Sequence, residues 1–151
     1  MFEEPQFSTP LAEPRLRARR AGELTNVWRA VMIAAWVGIV LGFVAVWRSS
    51  WTLGLSTWWL GPEADPRFVL LLVLPFLMPL AMVAAALLRV RWVPYYGVAA
   101  AIGTALIAWG DVGRVDGLAV VEFALAAGGL LVSVASLTGV LRPVERSVPS
   151  N

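Results

Sequence analysis

Four long apolar runs constrain this chain more than any other feature. They cover residues 30–47, 68–88, 92–110 and 117–141, and arginine or a glycine-containing turn bounds each of them. At a helical rise of about 1.5 Å per residue they measure about 27, 32, 29 and 38 Å. A bilayer core is about 30 Å thick and takes roughly 20 apolar residues to cross. In hydrocarbon, backbone groups must bond within their own segment, so each run reads as a helix. The composition agrees: 59% of the residues are hydrophobic and 15% are charged, where a soluble domain carries about 25% charge. The predicted fold class is all-α and integral to the membrane, with four transmembrane helices. The short connections at 89–93 and 111–116 make antiparallel neighbours, hence an up-down bundle.

The arginines set the expected orientation. All basic residues are arginine, and nine of them (Arg15, Arg17, Arg19, Arg20, Arg29, Arg89, Arg91, Arg142 and Arg146) fall on one side of the predicted spans. Arg48, Arg67 and Arg114 fall on the other. The arginine-rich side is expected to be cytoplasmic, which puts both termini inside a bacterial plasma membrane. Trp28, Trp92, Tyr95 and Tyr96 suit the inner interface, and Trp47 and Trp109 the outer one. Residues 1–29, with Pro5, Pro10, Pro14 and mixed charges, read as a disordered cytoplasmic tail. Residues 142–151 read as a second, short tail. Nothing at the start resembles a cleaved signal peptide, so the first span reads as a permanent anchor.

Several chemistries lose their usual residues. There is no cysteine and no histidine, so thiolate and imidazole ligands and the commonest general base are missing. No phosphate loop and no nucleophile–base pair is present. The expectation is a protein that is not an enzyme, with no metal, no cofactor and no nucleic-acid partner, because its basic residues sit at span ends and form no stripe.

Spans associate through close backbone approach and polar contacts. Ala30, Ala34, Gly38 and Gly42 recur every four residues and share one face of the first span. That stripe suits packing within the chain's own bundle, or docking by a partner subunit; the first is the simpler expectation. Ala124 and Gly128 repeat the spacing in the fourth span. Pro75 and Pro79 predict a bend in the second span, each removing a backbone donor.

The connection at 49–67 is the longest. Within it Trp51, Leu55, Trp58 and Trp59 fall at i, i+4, i+7 and i+8, a helical face suited to the outer headgroup layer or to a protein partner. Gly54 argues against a helix there.

The stretch 109–123 carries four charges between two apolar runs: Asp111, Arg114, Asp116 and Glu122. Asp111, Arg114 and Asp116, among Gly110, Gly113 and Gly117, read as a solvated turn. Glu122 lies just inside the fourth span, and an ionisable residue there is a functional candidate. Residues 123–141 alone are about 28 Å long, so Glu122 is expected at the outer boundary, paired with Arg48 or Arg114. A proton- or ion-handling role is the alternative.

Taken together, these features describe a non-catalytic multi-pass membrane protein, embedded in the lipid bilayer and packing against other membrane subunits. An accessory or assembly subunit of a larger complex, for example a respiratory one, fits. The alternative is a small homo-oligomeric transporter or channel that uses Glu122.

Overall fold

The computed structural model describes residues 21–61 and 68–141. Its helices are α1 (Asn26–Leu53), α2 (Val69–Leu87), α3 (Val93–Trp109) and α4 (Asp116–Ser136), with a 3-10 turn at Leu137–Gly139 after α4. The described residues contain no strand beyond one antiparallel bridge, Leu24 with Val140. α1, α2 and the stretch Asp116–Gly139 are long and apolar enough to cross a membrane, whereas α3 is apolar but has only 17 residues.

α1 outruns the predicted span at both ends. Arg48 does not stop it, because a charge removes no backbone donor; the helix stops where Gly54 turns left-handed at φ 64°. Leu55 N–H then donates to Ser50 O at 2.9 Å, which satisfies a carbonyl of the last turn. α2 ends the same way, with Val90 N–H on Ala85 O at 3.0 Å. There the left-handed residue is Arg89, at φ 56°. α2 runs on through Pro75 and Pro79, and both rings are buried. Pro94 sits in the first turn of α3, where a missing donor costs nothing.

Each helix packs on its neighbours in sequence, and α1 closes the ring against α4. Met32, Trp36, Ile39, Phe43 and Val46 of α1 face inward, with Met82 and Ala86 of α2 and Ala100, Ala101 and Ile107 of α3. Phe43 meets Phe76 edge-on at 6.2 Å. α3 and α4 come closest together: a Cβ on Gly97 would overlap Ser133 Oγ. That hydroxyl donates to Gly129 O, 2.6 Å away. Gly129 in turn lies against Trp36 and Ile39. Contact this close is what holds helices together where no water is displaced.

A strap ties one end of the bundle. Gly22 N–H donates to Leu141 O at 2.9 Å, Leu141 N–H to Glu23 O at 3.0 Å, and Thr25 N–H to Gly139 O at 3.1 Å. Trp92 N–H donates to Gly22 O at 3.0 Å, so the α2–α3 turn joins the strap. Residues 21–29, read from sequence as part of a disordered tail, are therefore ordered: five form the strap and the rest begin α1. The strap also shortens the fourth helix against the predicted 117–141, because the chain leaves α4 to pair with residues 22–25. Residues 1–20 and 142–151, which carry the remaining tail expectations, lie outside the described residues, as does Arg67. We call the opposite end, where α1 and α3 finish, the loop end.

Candidate functional site

After Gly54 the chain folds back over the loop end. Residues 55–61 are not helical, and two adjacent tryptophans point down into the bundle. A buried indole needs an acceptor for its N–H. Trp58 Nε1 donates to Ile107 O at 2.8 Å, in the last turn of α3. Gly110 makes room for this ring; a Cβ there would overlap the indole nitrogen. Trp59 is fully buried, edge-on to Phe76 at 6.3 Å. Its Nε1 donates to Glu122 Oε1 at 3.1 Å. A tight turn, Gly61 N–H to Thr57 O at 3.0 Å, holds the two rings side by side.

The two tryptophans end on two acids. Trp58 backbone N–H donates to Asp111 Oδ1 at 2.8 Å. Asp111 lies in the α3–α4 turn, where its carbonyl accepts from Arg114 N–H and Val115 N–H, both at 3.1 Å. Glu122 occupies the second turn of α4, on the inward face with Leu118, Ala119 and Ala126. Both acids have 0% exposure, and their carboxyl groups lie close enough to act on each other. Asp111 Oδ2 and Glu122 Oε2 find no N–H or hydroxyl donor among the described residues. A proton carried by one carboxyl would supply the donor that both of these oxygens lack. Burial pushes the Asp111 carboxyl above its ordinary value of 3.8, against the opposing effects of the Trp58 N–H, the Glu122 contact and the Arg114 guanidinium. Among the described residues no three acidic, histidine or cysteine side chains come together as a metal site requires.

Several sequence expectations change here. Asp111, read as part of a solvated turn, is buried; Arg114 and Asp116 are exposed as expected. Glu122 was expected to pair with Arg48 or Arg114. Instead it meets Asp111 and Trp59, and no ion pair with either arginine forms; Arg48 is exposed on α1. Trp51, Leu55, Trp58 and Trp59 do not form one helical face. Gly54 divides them: Trp51 belongs to α1, is 60% exposed and lies edge-on to Trp47 at 5.9 Å. Leu55 is exposed, and Trp58 and Trp59 turn inward. The small-residue stripe of α1 also faces away from the expected side. Ala30 and Ala34 are exposed, and a Cβ on Gly38 would meet nothing within 4 Å. Only Gly42 meets another helix, at Leu125 of α4. The reason is angular: the inward face of α1 is already filled by Met32, Trp36, Ile39, Phe43 and Val46, which leaves Ala30, Ala34 and Gly38 on the opposite side.

No protein-family model matches this chain, and comparison with curated proteins and with solved structures finds no match.

Proposed function

We propose that this chain is a non-catalytic membrane protein that docks a transmembrane helix of another membrane subunit against the outer face of α1. The observation that carries this reading is the unpartnered stripe Ala30, Ala34 and Gly38. Bulky apolar side chains are enough to face lipid, and α2 turns Leu70, Leu77, Leu80 and Leu87 outward in that way. A row of Ala and Gly leaves instead a shallow groove in which a second backbone can approach closely. On α4, Ala124 and Gly128 are likewise exposed, with open space over Gly128. α3, about 26 Å long, crosses with its neighbours, the loop end is outside, and the arginine-rich strap end is cytoplasmic. The membrane is a bacterial plasma membrane and the role is accessory or assembly, as in a respiratory complex.

The test is mild extraction from native membranes, affinity capture and mass spectrometry of what remains bound. Expected is one membrane protein in stoichiometric amount, lost on Gly38→Leu while the melting temperature of the isolated chain is unchanged. Gly42→Leu is the contrasting variant, because it collides with Leu125 and destabilises the chain itself. Recovery of the chain alone, as a discrete homo-oligomer, overturns the docking reading. That result favours a small proton-coupled transporter, for which the buried Asp111–Glu122 pair is the supporting observation.

A further inference from the structure

Trp58 and Trp59 reach from one loop to the two acids, one hydrogen bond to each. The loop is thus fastened through acceptors that belong to the carboxyl pair. Each carboxyl keeps one buried oxygen without a donor. Two carboxylates in contact and out of water repel each other. A single proton between them removes one charge and supplies the missing donor to the other oxygen. From this geometry we infer that Asp111 and Glu122 form a one-proton binding site, and that the proton held there keeps loop 54–61 seated on the bundle. Loss of the proton lifts the loop and exposes the pair to water at that end.

Few other charges bear on the site. Arg114, in the same turn, acts on Asp111 and favours its ionised form. Asp116 is occupied elsewhere, its Oδ1 accepting from Gly113 N–H at 2.8 Å. Arg48 is exposed on α1, while α2, α3 and residues 54–61 carry no charged side chain. Glu63, Asp65 and Arg67 lie outside the described residues. The sign of the effect follows from Asp111, whose carboxyl is raised above 3.8 in the closed form. The closed form therefore binds the proton more tightly than an open one. Its advantage is full in acid and is lost as pH rises from the ordinary value through the raised one.

The experiment is hydrogen–deuterium exchange of residues 54–61, with the full chain in phosphatidylcholine nanodiscs, between about pH 5 and about pH 9, the range in which buried carboxyls titrate. Rates are corrected for intrinsic exchange. Expected is protection that falls by up to about tenfold per pH unit, the slope of one proton, as pH rises toward the raised value, and levels off above it. Glu122→Gln and Asp111→Asn each place a permanent amide donor between the two groups, so both should keep the loop protected at every pH. A retained pH slope in either variant, or a loop left unprotected at every pH, overturns the inference. So does a wild-type loop that shows no slope. Sodium chloride against choline chloride at the alkaline end is the control for cation type: renewed protection by sodium makes this an alkali-cation site and overturns the proton assignment. The nanodisc sample holds no partner subunit, so this result and the capture experiment succeed or fail separately.

Discussion

Gly54 stands one residue past the end of α1 and Arg89 two residues past the end of α2, and both are left-handed. For glycine that conformation is free of Cβ strain; for an L-residue with a side chain it costs about 1–2 kcal/mol. Arg89 accepts the cost because Val90 N–H must reach Ala85 O to close α2, and because Trp92 must then donate to Gly22. The side chain of Arg89 is exposed. Arg89→Gly should therefore raise stability by about 1 kcal/mol, seen as a higher melting temperature in detergent. A lower one would mean that the guanidinium holds the strap end together. The turn at 89–93 is legible in the sequence from its two arginines. Which residue goes left-handed is not, since no glycine marks it.

At the scale of elements, the loop after α1 shows where helical periodicity misleads. Trp51, Leu55, Trp58 and Trp59 have helical spacing, yet Gly54 breaks the helix between the first and the rest. What decides the fold of 55–61 is hydrogen bonding at a distance: the Trp58 and Trp59 donors find Ile107 O, Asp111 and Glu122, all about fifty or more positions away. No local pattern reports such partners. Glu122 was legible as a candidate because a lone acid in an apolar run is conspicuous. Asp111 was not, because among glycines and an arginine it looks like any solvated turn. The loop depends on the missing side chain at Gly110. Gly110→Ala should push the Trp58 indole off Ile107 O and leave Asp111 Oδ1 without its donor. Exchange in 54–61 should rise while α1 and α4 stay protected; an unchanged loop would show that the ring has room to shift.

For the whole molecule, the number of helices and their antiparallel order were readable from run length and turn length alone, since hydrocarbon leaves the backbone so few choices. The direction of each face was not readable. The α1 stripe has a period that places its members together, and only the ring of four helices decides that Gly42 looks inward and Gly38 outward. The strap was equally hidden, for it pairs residues 22–25 with 139–141, and neither segment has the composition of a strand. Its consequence lies in the order of synthesis. α1 is made first and α4 last, yet α1 packs against α4 and the strap seals that seam. Trp36 and Ile39 must therefore wait, unpartnered on the α4 side, until the ribosome has delivered Gly129. A chain truncated after Val115 should turn over quickly in pulse-chase, and α4 with its strap segment, expressed separately, should restore its lifetime. The bundle is closed by α4 and the strap, so the survival of α1 should depend on the arrival of a helix made after it.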